Sequence, residues 1–209
     1  MKSRLAYRPV CSTVEDVTIR ERGSARERIL DVADRLFYER GIHAVGVDTI
    51  VAESQVAKTT LYGHFQSKDQ LIAEYLRQRS ARWLALLDDE LAARGGTPID
   101  RIQRVFELLG DWFEEPSYRG CPFINACAEF GVDHPAAVVT REHRRQLTTR
   151  FVDLCAEAGV EVPSLLAAQL LLLYDAALVS AHIDGTPAAA QTARDAAVAL
   201  LKQATARRR

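Results

Sequence analysis

The chain has 209 residues, 48% of them hydrophobic, which suffices to bury a core and suits a small head on a larger body. A formal net charge of -1 excludes a protein that attracts polyanions through its overall field, so any grip on nucleic acid must come from local geometry. Four cysteines, Cys11, Cys121, Cys127 and Cys155, lack the paired spacing of a zinc or redox site, and no secretory signal precedes them, so a reduced cytoplasm is the expected compartment.

Residues 1–23 carry Lys2, Arg4, Arg8, Arg20 and Arg22 without sustained apolar periodicity. A disordered basic arm is expected there. Such arms enter the minor groove in other helix-turn-helix proteins, although Glu15, Asp16 and Glu21 dilute this one. From Met1 to Lys68 there are 11 Lys or Arg against 9 Asp or Glu, a small local excess. The first helix opens with Ser24 and Glu27 as a capping box, places Ile29, Val32, Ala33 and Leu36 at i, i+3, i+4 and i+7, and stops at Gly41. A second, short helix spans 47–53, with Gly46 as cap and Val47, Ile50 and Val51 on its apolar side. Ser54, Gln55 and Val56 form a turn of the length that sets two helices at a steep angle. A third helix starts at Lys58. Leu61 and Phe65 face inward with Val56, leaving Lys58, Thr59, Thr60, Tyr62, Gly63 and His64 outside.

Lys58 and Lys68 both stand at first helical positions, where the helix dipole favours an acid. An external anion resolves the conflict, because backbone N–H groups, dipole and ammonium then converge on one phosphate. Lys58, Thr59, Thr60, Tyr62, His64 and Lys68 are therefore the candidate DNA-binding residues.

The run LYGHF followed by SKDQL, after a GxxAVGVDTI segment, is similar to the N-terminal domain of the TetR family of repressors over about fifty residues. The resemblance implies a three-helix DNA-binding head, a larger helical body that dimerises and holds an effector, and release of operator DNA when the effector binds. The family pattern has Gly where Gln55 stands, Ser or Thr where Ala57 stands, and a hydroxyl residue in place of Val45. Gln in a left-handed turn costs on the order of 1 kcal/mol, and a missing cap about the same. Thr59 and Thr60 are left as the phosphate-binding hydroxyls.

The remainder reads as helices separated by turn chemistry. Ser67, with Gln70 as capping partner, opens a long helix that reaches about Arg94 before Gly95 and Gly96. Thr97 and Pro98 open the next in cap-then-N1 order, and Ile102, Val105, Phe106, Leu109 and Phe113 give it an apolar stripe. A short helix over 123–130 follows, then one over 135–159, and Pro163 and Pro187 open the last two. Residues 165–183 are apolar on nearly every side, long enough for a membrane span, but Gln169, Asp175, Ser180 and His182 interrupt them, so a helix buried between its own core and a partner subunit is expected instead. The alanine face of the last helix, Ala197 included, allows close approach of a second copy. Leu87, Phe106, Phe113, Phe123 and Tyr174 are candidate walls of an effector site, with Asn125, Cys127 and Glu129 among its polar groups; Asn125 and Glu129 share a helix face.

The five histidines lack paired metal-ligand spacing, and no nucleophile elbow, phosphate loop or dinucleotide fingerprint is present, so neither enzyme, cofactor nor metal is expected. The reading is an all-α protein: a head at 24–68, and an effector-binding and dimerisation body at 69–209 that forms a homodimer through the last two helices. It acts as a repressor on a pseudo-palindromic DNA operator, with a small-molecule effector and no membrane. The alternative is an architectural DNA-binding protein without effector; a helical enzyme is the third reading.

Overall fold

The computed structural model describes residues 23–206; the expected basic arm up to residue 22 and the tail at 207–209 lie outside the described residues. Among the described residues there are nine helices and no strand. They are α1 (Ala25–Arg40), α2 (Val47–Ser54), α3 (Lys58–His64), α4 (Lys68–Arg94), α5 (Pro98–Phe113), α6 (Pro122–Glu129), α7 (Pro135–Glu157), α8 (Pro163–Asp184) and α9 (Ala188–Ala206).

Local chemistry sets most of the boundaries. Ser24 Oγ accepts the Glu27 N–H at 3.3 Å, while the Glu27 carboxylate accepts the Ser24 N–H at 2.8 Å. Thr97 and Asp100 repeat this capping box at α5, with Pro98 at the first position. Ser67 Oγ accepts the Gln70 N–H at 3.1 Å, and Gln70 returns a side-chain carbonyl to the Gln66 N–H at 2.6 Å. Each exchange satisfies N–H groups that a helix start leaves without partners. α2 continues one residue beyond its predicted end, to Ser54, which is buried and donates its hydroxyl to the Ile50 carbonyl at 2.6 Å.

The described residues form two compact units. One comprises the chain through Ala81 together with Pro122–Arg141; the other comprises Arg82–Cys121 and the chain from Glu142. The first unit is thus larger than the 24–68 segment read from sequence. It is built around α1, which buries Ile29, Leu30, Ala33, Leu36 and Phe37 against Ile50, Leu61, Phe65, Leu71 and Tyr75. At its centre Asp34 of α1 and Arg79 of α4 are each 3% exposed and form a two-pronged pair, Nε to Oδ1 at 2.7 Å and Nη2 to Oδ2 at 3.1 Å. The guanidinium also lies 4.0 Å from the Tyr38 ring centroid and 5.3 Å from that of Tyr75. Planar stacking with bidentate bonding is the geometry that suits arginine to burial and excludes lysine.

The second unit packs α9 along α8 and α5. Its alanine face is used within the chain. Ala190, Ala193 and Ala197 are buried without any partner subunit, and the Ala190 methyl would lie 3.4 Å from a Cβ at Gly110. This corrects the expectation that Ala197 meets a second copy: small residues bring α9 close to its own neighbours. α8 satisfies the length and hydropathy of a membrane span, yet Leu166, Leu170, Tyr174 and Leu178 sit in the protein core, and its buried and exposed faces are both apolar. Buried Arg104 ties α5 to α4 through Glu90 at 2.9 Å and also reaches Asp111 at 3.2 Å.

Two outcomes follow from the buried titratable groups. Arg79→Met strands the Asp34 carboxylate, so it should cost about 3–5 kcal/mol, with most of that recovered when Asp34→Leu accompanies it. Urea denaturation of the single and double variants reads the difference. In the second unit, burial and the nearby Arg144 and Arg150 charges lower the His143 pKa from 6.5 to about 4. The unfolded chain therefore binds a proton that the folded chain refuses. Stability should fall as pH drops from 6.5 to about 4, and His143→Gln should flatten that limb of a pH–stability curve.

Candidate nucleic-acid interface

The turn between α2 and α3 is the first element of the site. Gln55 sits at φ 53 and ψ 44, the left-handed conformation anticipated for that position, and is the single non-glycine residue with positive φ among the described residues. There its N–H and that of Val56 donate to the Ala52 and Val51 carbonyls, each at 3.4 Å. α3 then starts without help: Ala57 supplies no side-chain cap, and the Thr60 and Leu61 N–H groups close onto the Ala57 carbonyl at 2.9 and 3.2 Å. Leu61 is fully buried and Phe65 nearly so, which fixes the roll of α3. The opposite face exposes Lys58, Thr59, Tyr62, Gly63 and His64, with Thr60 half-buried.

α2 is held to α1 from the other side. Glu53 pairs with Arg35 and lies 3.9 Å from Arg40, and Arg28 Nε donates to the Ser54 carbonyl at 3.4 Å. These contacts tie the C-terminal end of α2 to α1.

The two lysines at helix starts have different fates. Lys58 Nζ donates to Asp48 Oδ1 at 2.6 Å, and this bond raises the lysine pKa; both groups are well exposed. The conflict read from sequence is therefore met by an internal carboxylate, and Asp48 joins the face of Lys58. Its place in the first turn of α2 is legible from the dipole rule, but its pairing ten residues onward is not. Lys68 departs further. Its ammonium donates to the Ile42 carbonyl at 2.8 Å and lies 5.9 Å from the Phe37 ring centroid, and burial lowers its pKa. One of its three N–H donors is thus taken by a backbone carbonyl.

The candidate effector residues divide between the two units. Leu87, Phe106, Phe113 and Tyr174 belong to the second and are all buried. There Phe151 bridges Phe106 at 6.4 Å and Tyr174 at 6.3 Å, and Tyr118 packs on Phe113 at 4.9 Å while donating its hydroxyl to the Leu178 carbonyl at 2.7 Å. Phe106 also borders a surface groove of roughly 260 Å³ that includes Glu107, Asp111 and Arg194. Phe123, Asn125, Cys127 and Glu129 belong to the first unit, with Phe123 buried and Cys127 exposed. Glu129 is committed: its carboxylate accepts the N–H groups of Ile42 at 3.0 Å and His43 at 2.7 Å. Each Glu129 oxygen thus holds one backbone N–H of the chain itself.

Residues 29–75 match the family model for bacterial regulatory proteins of the tetR family. Over most of its length the chain is 32% identical to a TetR-family transcriptional regulator of Streptomyces coelicolor, with a TM-score of 0.77 and coverage of 87% of this chain and 96% of the other. A transcriptional regulator of the same kind from Streptomyces avermitilis is also 32% identical, with a TM-score of 0.72 and coverage of 84% and 98%. The HTH-type transcriptional regulator LmrA of Bacillus subtilis is 40% identical over 99 residues, 44% of this chain and 48% of that protein. The chain spans about half the length of most curated relatives it matches. With the helix-turn-helix geometry and the structural agreement over most of the chain together, the chain belongs to the TetR family of bacterial regulatory proteins.

Proposed function

We propose that the protein is a cytoplasmic, dimeric transcriptional repressor that binds a pseudo-palindromic operator and is released by a small-molecule effector. The observation that carries this reading is the outward face of α3, where Lys58, Thr59, Tyr62 and His64 project from a helix locked by Leu61 and Phe65. With Thr60 at its edge, this face offers hydrogen-bond donors at the spacing of one major-groove helix. Lys58 and the threonines serve phosphates, and Tyr62 and His64 lie where base edges are read. The effector is assigned to the second unit, which holds Leu87, Phe106, Phe113 and Tyr174.

Dimerisation is assigned to α8 and the exposed remainder of α9. On α8, Leu165, Leu172, Val179 and Ile183 are 60%, 66%, 41% and 75% exposed. With Gln169 and Ala176 between them they fall at alternating steps of four and three, the repeat of a helix seam that meets another helix. A dimer would bring two recognition helices to half-sites about 34 to 36 Å or a multiple apart.

Selection of bound fragments from sheared genomic DNA tests the function directly; a repressor enriches a few sites with inverted symmetry, and uniform retention of all fragments would favour an architectural binder. Leu172→Glu should shift sedimentation from dimer to monomer and abolish tight fragment binding, whereas Ala197→Glu should unfold the subunit. A wild-type monomer at micromolar concentration would remove the seam argument. At the interface, a phosphate competes with Asp48 for the charge of Lys58. Asp48→Asn should therefore strengthen enriched and random duplexes together and steepen the salt slope by about 1. Unchanged binding would take Lys58 off the phosphate backbone.

A further inference from the structure

The loop at residues 41–45, between α1 and α2, is gripped from two sides. Glu129, the last residue of α6, accepts the Ile42 N–H through Oε1 at 3.0 Å and the His43 N–H through Oε2 at 2.7 Å. Its own carbonyl lies 2.9 Å from His43 Nε2. From the start of α4, Lys68 donates to the Ile42 carbonyl at 2.8 Å. One short stretch of backbone thus presents N–H groups to a carboxylate and a carbonyl to an ammonium. The next residue after Glu129 reinforces the dock: the Phe130 ring lies 4.0 Å from His134, nearly parallel, and 4.6 Å from His43.

A carboxylate is badly placed for α6 itself. The C-terminal end of a helix carries partial negative charge, so Glu129 opposes the dipole of its own helix. A residue that violates its local rule and finds two charge-assisted bonds in a remote loop is there for the loop. The loop in turn decides where α2 begins. Ile42 and Val45 are buried as plugs, and Gly46, which caps α2, makes no side-chain bond, so nothing local fixes that start.

We infer that Glu129 is a positioning residue for DNA binding: from the end of α6 its carboxylate holds the α1–α2 loop, and DNA affinity depends on that grip although Glu129 touches no nucleic acid. The inference rests on the DNA-binding reading above.

The test uses the full chain with Glu129→Ala and Glu129→Gln, and reads three quantities: amide hydrogen exchange at Ile42 and His43, the thermal midpoint, and Kd for the genomic fragment most enriched by wild type. Glu129→Ala should speed exchange at those amides and weaken DNA binding by roughly tenfold, with Glu129→Gln intermediate because its carbonyl keeps one acceptor. A merely stabilising residue would lower the thermal midpoint and leave Kd unchanged well below it, because almost no protein is unfolded there. If Glu129→Ala does not fold, Glu129→Gln carries both measurements. Wild-type exchange at Ile42 and His43 in the folded variant, or wild-type Kd, overturns the inference alone; a wild type that enriches no fragment overturns the regulator reading and this inference with it.

Discussion

The buried pair between Asp34 and Arg79 is the constraint on which the first unit is organised. It joins the middle of α1 to α4 in a place with almost no water, and such a pair is stable only when its remaining hydrogen-bonding and ring contacts are also in place. That demand propagates. Tyr38 and Tyr75 have to present their faces to the guanidinium, Tyr75 meets Phe37 edge-on at 5.5 Å, and α1 is fixed in roll and height against α4. The two short helices carry little buried area of their own, so their placement is inherited from α1 through Glu53, Ser54 and Leu61. A hydrophobic contact at the same place would supply attraction without fixing register, whereas a bidentate pair admits one geometry.

Chemistry between near neighbours was readable from the chain. The capping boxes at Ser24 and Thr97, the Ser67–Gln70 exchange and the left-handed Gln55 all depend on residues three or four apart or on one backbone angle. Contacts between distant residues were not. Asp34 and Arg79 are 45 positions apart, and Ile42 and Glu129 are 87 apart; in the sequence the three acids and bases are each one more charged residue on a helix, and Ile42 is one more apolar residue in a loop. α8 shows a second limit. When a helix is apolar on every side, periodicity no longer says which face is the core, and the exposed row of Leu165, Leu172 and Val179 emerges only after the inward face has been filled. Ala197 was assigned to the wrong neighbour for a related reason, since a small residue signals close approach without naming the helix that approaches.

The misplaced lysines show how a correct local diagnosis leads to an incomplete conclusion. A cation at a helix start is unfavourable by itself and calls for negative charge nearby. Asp48 supplies it for Lys58 at the surface, and the carbonyl of Ile42 supplies a partial charge for Lys68 in a half-buried setting. Sequence identified the need in both cases. It did not say that the need is met within the chain, which leaves one lysine in an exchangeable surface pair and the other committed to architecture.

The discontinuity of the first unit has a consequence for how the protein is made and how it can be recombined. Its amino-terminal helices are synthesised early, but residues 122–141 of the same compact unit follow only after α5. The unit therefore closes over long sequence separations, which slows folding relative to a bundle of local contacts and delays a completed head until more than half the polypeptide has been translated. For the same reason a chimaera that borrows only the helix-turn-helix segment receives the three helices without the later piece that packs beside them. The natural cut for a transplant is defined by two separated stretches of chain, and a single crossover that carries both also carries residues 82–121 of the second unit.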